Sequence, residues 1–221
     1  MKQFITQHGL KQHPEIAFAC DTHRIPHEDV EWLLNLLESE IQLGRLFKAG
    51  EILNIGWVGV KLAPENSSTL RILEPDFRGL PINFIPSVNH TLKHYRQHLD
   101  TVASLKPQLE LEMPSVRDSI IVSKNFAASQ HLRLWHETPK KAHESGWFCK
   151  DLTVGDKDAY NQLSLYEFAC LQPSLIKYLA LPIHSEVIWE SGRSMSISYK
   201  NQALSILPNS YLEAVNQAKL N

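Results

Sequence analysis

The chain is predicted to be α+β, built as two small domains, each a mainly antiparallel sheet with packed helices. Three observations predict this. Two helix-period stripes lie in the first half, at 26–44 and 87–102. Short strand-like runs separated by turn residues fill much of the rest. A polar segment with two prolines, Lys106 to Pro114, interrupts both patterns and reads as a linker. The expected domains are therefore 1–112 and 113–221, with no clear role for the first.

Each element has its own signal. Glu15–Cys20 reads as a short strand. The first helix opens at Pro26, whose missing N–H costs nothing at a helix start. Glu28, Asp29 and Glu31 lie near the positive end of its dipole. Val30, Leu33, Leu34, Leu37 and Ile41 form its apolar stripe, and Gly44 ends it. Gly50–Leu62 is apolar on both faces and reads as one central strand. Pro64–Ser68 is a turn, and Thr69–Leu73 is the return strand. Ser87 caps a second helix, with Val88, Leu92, Tyr95, Leu99 and Val102 inward.

The second half reads as strands at 119–123, 132–136 and 146–150. Ser164 with Glu167 three residues on has the capping-box spacing, and Pro173 opens another short helix. Strands at 187–190 and 195–199 and a helix over 209–219 finish the chain. Trp147 is expected in the core, with Phe148 on the other side of its strand.

Composition narrows the function. Of 221 residues, 43% are hydrophobic and 21% charged, which is ordinary for a globular protein. The formal net charge of −2 lacks the basic footprint of a nucleic-acid binder. Cys20, Cys149 and Cys170 are isolated, so neither a disulfide framework nor a zinc site is indicated. No apolar run approaches the ~20 residues that span a bilayer. Met1–Leu10 has no signal-peptide core, so a cytoplasmic protein without membrane attachment is expected.

No nucleophile elbow, phosphate loop or dinucleotide fingerprint occurs, and no catalytic residue or cofactor is assigned. His90, His94 and His98 recur every four residues on the second helix. They fall roughly opposite its apolar stripe, so they are expected to face solvent or a partner. A metal reading lacks the glutamate of the HExxH pattern and a third ligand. Asp151, Asp156 and Asp158 surround Gly155 without EF-hand spacing. They suit turn formation or contact with a basic partner surface.

Several short motifs occur in a fixed order. They are Val122-Ser123, the turn Glu137-Thr138-Pro139, Ser145-Gly146-Trp147, the acidic Gly-Asp segment with Tyr160, and Pro173-Ser174-Leu175-Ile176. The turn Ile183-His184-Ser185 into Val187–Glu190 completes the set. Together, over 119–199, they resemble family thirty-three of the bacterial polymorphic-toxin immunity proteins. Asp29–Leu33, Gly50–Trp57, Glu74–Phe77 and Thr91–Tyr95 resemble the domain that often precedes it.

The resemblance implies a non-enzymatic protein that occludes a cognate toxin delivered by contact-dependent or type VI secretion. The partner is then a protein toxin, with no nucleic acid or membrane. Asp151, Asp156, Asp158, His90, His94 and His98 are the candidate contacts. The competing readings are a histidine-rich metal-dependent hydrolase and a ligand-binding adaptor.

Overall fold

The computed structural model describes residues 1–7, 13–153 and 159–220. It is α+β and divides into two compact units, Met1–Arg96 and Gln97–Asn221. The division falls within a helix, upstream of the expected linker.

In the first unit the strands are β1 (Lys2–Ile5), β2 (Glu15–Cys20), β3 (Ile52–Ile55), β4 (Val58–Asn66), β5 (Thr69–Pro75) and β6 (Phe84–Ile85). Among the described residues they form one sheet in the order β1-β2-β5-β4-β3, with β6 also on β5. Only β2 and β5 pair in parallel. The expected single strand over 50–62 is in fact a hairpin. Ile55 faces Val58 across a two-residue turn, Gly56-Trp57. Gly56 has φ 58°, as a tight hairpin turn with glycine first requires. Strong burial of both strands produced the continuous apolar run that hid the turn.

Helix α1 (His27–Gln42) buries Val30, Leu33, Leu37 and Ile41 of the stripe read from its spacing, while Leu34 is half-buried. Pro26 sits at its N-cap, one position earlier than expected. Helix α2 (Asn89–Ala103) starts over the fully buried Glu74. That carboxylate accepts from the His90 and Thr91 N–H groups and from Thr91 Oγ1, so it satisfies the helix's first donors. Burial alone would raise the Glu74 carboxyl. Hydrogen bonds from His90, Ser87 and Thr91 outweigh it and hold the group below its ordinary value.

In the second unit β7 (Leu105–Lys106) follows α2. Then come β8 (Ser119–Ser123), β9 (His131–His136), β10 (Glu144–Asp151), β11 (Tyr160–Ser164), β12 (Ser185–Glu190), β13 (Ser196–Tyr199), β14 (Gln202–Ala203) and β15 (Ser205–Ile206). Seven of the described strands form a sheet ordered β11-β8-β10-β9-β12-β13-β14. It is antiparallel except between β8 and β10. β7 and β15 pair separately.

One face of the seven-stranded sheet is packed. Ile120, Val122, Leu132, Leu134, Trp147, Cys149 and Val187 are buried on it. Over them lie helix α3 (Leu165–Leu171) and the 3-10 segment Pro173–Tyr178, which contribute Leu165, Tyr166, Phe168, Leu175 and Tyr178. Ser164 and Glu167 form the reciprocal cap predicted for α3. Helix α4 (Tyr211–Leu220) ends the described chain.

Candidate protein-contact face

The other face of this sheet is half-exposed, and it follows from strict alternation. In β9, Leu132, Leu134 and His136 are buried while His131, Arg133 and Trp135 are not. In β10, Ser145, Trp147, Cys149 and Asp151 are buried while Glu144, Gly146, Phe148 and Lys150 are not. Trp147 is thus in the core, with Phe148 on the opposite face.

Cross-strand register assembles the open face. Trp135 pairs with Phe148 on one side and Glu186 on the other, and Phe148 also faces Ile121. The Trp135 and Phe148 rings stack, with centroids 5.0 Å apart and planes 10° apart. The Arg133 guanidinium lies 5.0 Å from the Trp135 ring centroid and donates to Glu186 Oε2 at 2.6 Å. Trp135 Nε1 donates to Glu137 Oε1 at 2.8 Å.

The Ser-Gly-Trp motif builds the end of this face. Ser145 Oγ donates to the Ser119 carbonyl at 2.7 Å and accepts the Trp147 N–H at 3.1 Å. Between Glu144 and Phe148 the register with β8 shifts, so the strand bulges. Gly146 lies in this bulge with φ 77°, and a Cβ there would fall 2.0 Å from the Glu137 carbonyl oxygen. Only glycine allows β10 to approach so closely. Trp147 Nε1 donates to the Leu179 carbonyl at 3.0 Å, and its ring stacks on His136 at 4.5 Å. Both His136 nitrogens lie 2.9 Å from backbone carbonyls, those of Leu181 and Ser145.

Two clefts flank the Glu137 turn. The larger, about 410 Å³, lies among Arg133, Trp135, Glu137, His184, Glu186 and Lys200. The smaller, about 130 Å³, lies among Ile121, Glu137, Pro139, Gly146 and Phe148. Motifs far apart in sequence therefore meet at one end of the sheet: Glu137-Thr138-Pro139, Gly146-Trp147 and His184-Ser185.

Residues 100–199 match the Imm33-like domain family. This stretch, within the second unit, is the Imm33-like part of the chain. No curated protein and no solved structure matches the chain significantly.

The predicted contacts described in this unit, Asp151 and His98, are both buried and are not on its open face. Asp151 is buried, which corrects its expected availability to a partner. It accepts from Ser129 Oγ, Thr153 Oγ1 and the Thr153 N–H at 2.7–2.8 Å, fixing the start of its own loop. Burial pushes its carboxyl up, but these bonds prevail and hold it low. Asp156 and Asp158 lie outside the described residues.

The histidine flank of α2 is corrected too. His94 and His98 are buried, and only His90 is half-exposed. In the first unit His94 packs against Phe77 and Trp57, with centroids at 4.9 and 5.6 Å, and His90 Nδ1 lies 3.5 Å from Glu74. In the second unit His98 Nε2 lies 2.9 Å from the Ile176 carbonyl. Burial pulls its pKa down to about 4, and the Ile176 bond only partly opposes this. A neutral imidazole with a backbone partner is an acceptable core group, and helical spacing alone does not register that.

Among the described residues, no group of three or more His, Cys, Asp or Glu is placed to hold a metal. No described helix is long and apolar enough to cross a membrane. Cys149 is buried, which pushes its thiol up and leaves it a packing residue.

Proposed function

We propose that this protein is an immunity protein. It binds a cognate toxin in the cytoplasm and neutralises it by covering the toxin's active surface through the open face of the Imm33-like domain. One observation carries the reading. The half-exposed Trp135–Phe148 stack, with the Arg133–Glu186 pair beside it, lies on a sheet face of an Imm33-like domain. Trp and Arg are enriched among the side chains that dominate binding energy at protein interfaces. Exposed aromatic rings flanked by engaged charges offer apolar contact without leaving unpaired polar groups on association.

The acidic segment with Asp156 and Asp158 is a second contact in this reading. Its charge would steer a basic toxin surface and affect association rate more than lifetime.

The test is co-expression in the cytoplasm with a toxin encoded beside this chain. Wild type should permit growth. A Trp135→Ala/Phe148→Ala variant of unchanged melting temperature should not. Growth with both wild type and the variant would remove the open face from the interface. Growth with neither would remove the immunity assignment.

A further inference from the structure

The larger cleft contains groups that the open face does not use. Its two carboxylates are already engaged, Glu186 by Arg133 and Glu137 by Trp135 Nε1. Its donors are not. Lys200 makes no ion pair among the described residues, and its ammonium lies only near the ring of its neighbour Tyr199, at 4.9 Å. Arg133 Nε, a donor with no capacity to accept, is buried in this wall without a hydrogen-bond partner. Buried polar groups are ordinarily satisfied, so a wall with unmet donors calls for an acceptor.

The backbone supports the same conclusion. His184, Lys200 and Asn201 line this cleft with φ of 73°, 50° and 63°. Lys200-Asn201 is the two-residue turn between β13 and β14, where Tyr199 pairs with Gln202. Such a turn needs positive φ at both positions and favours Asn-Gly or Gly-Gly. Asparagine suits it; lysine does not. A side chain kept in a disfavoured conformation at a cleft wall points to a use for that side chain.

We propose that this cleft receives one carboxylate side chain of the bound protein, held by Lys200 with His184 beside it. The proposal rests on the immunity reading for the identity of that protein. A carboxylate fits better than a phosphate group. The walls already carry Glu137 and Glu186, so a second negative charge on the ligand would meet like charge. A protein source follows from continuity, since Trp135 and Arg133 belong both to the cleft and to the open face.

The experiment needs no toxin, so its failure is distinct from failure of the immunity reading. The full-length ¹⁵N-labelled protein is titrated with N-acetylglutamate and, separately, with N-acetylglutamine at constant ionic strength. The carboxylate should give saturable shifts at His184, Ser185, Lys200 and Asn201 in the millimolar range, and the amide should give none. Lys200→Gly should abolish those shifts while keeping or raising the melting temperature, because glycine relieves the positive φ. Lys200→Arg should retain them. Equal responses to acid and amide, the absence of saturable shifts, or shifts unchanged in Lys200→Gly would overturn the proposal.

Discussion

At the scale of single residues, large buried side chains set the stability of the Imm33-like domain. Trp147 is 1% exposed, stacks on His136 and donates to Leu179. Trp147→Ala should therefore cost about 3–5 kcal/mol in denaturant unfolding, as large-to-small core changes do. An unchanged unfolding midpoint with lost toxin binding would place the residue in the interface instead.

His98 makes a pH prediction. Its folded pKa of about 4 lies below the ordinary histidine value of about 6.5, so the unfolded chain binds more protons between these limits. Its contribution is fully present above pH 6.5 and is lost as pH falls toward 4. The shift corresponds to about 3 kcal/mol across that window. Wild type should lose more stability than His98→Gln over pH 6.5 to 4, measured by unfolding at each pH. Parallel curves would contradict this. The burial of His98 was not legible in the sequence, because histidine has polar spacing on a helical wheel yet buries readily when neutral and bonded.

At the scale of elements, the bulge in β10 is the sharpest test. Gly146 combines positive φ with a Cβ position 2.0 Å from the Glu137 carbonyl oxygen. Gly146→Ala should displace the Glu137 turn and lower stability by about 2–4 kcal/mol, in the range of strained-backbone and overpacking substitutions. Thermal melting of the variant checks it.

Legibility varied with the kind of signal. The α1 stripe, the Ser164–Glu167 cap and the alternation of β9 were readable because each is a local period or spacing. β11 gives no strand signal, because an exposed edge strand, Tyr160-Asn161-Gln162, carries no apolar alternation. The β3–β4 hairpin was hidden because its turn holds a tryptophan that is itself buried. The chemistry of the open face was half-visible. Arg133, Trp135 and Phe148 show the right period, but which face of a sheet is covered depends on α3 and the 3-10 segment, far along the chain.

At the scale of the whole molecule, each unit has its own sheet and its own buried core. Three of the motifs that resemble an immunity family, Glu137-Thr138-Pro139, Gly146-Trp147 and His184-Ser185, meet within the second unit, around Glu137. Their short-range roles are structural: Ser145 and Gly146 shape the bulge, and Trp147 anchors the core. In the proposed reading, what they present to a toxin is the adjoining surface of Trp135, Phe148 and the Lys200 cleft. In the proposed reading this surface binds the toxin. Calorimetric titration of the full-length protein with a purified, catalytically inactive toxin encoded beside it tests this most directly. We predict one-to-one binding, weakened at least about tenfold by Trp135→Ala/Phe148→Ala, as for loss of interface anchor residues, with the melting temperature unchanged. Equal affinity of wild type and that variant would contradict the account.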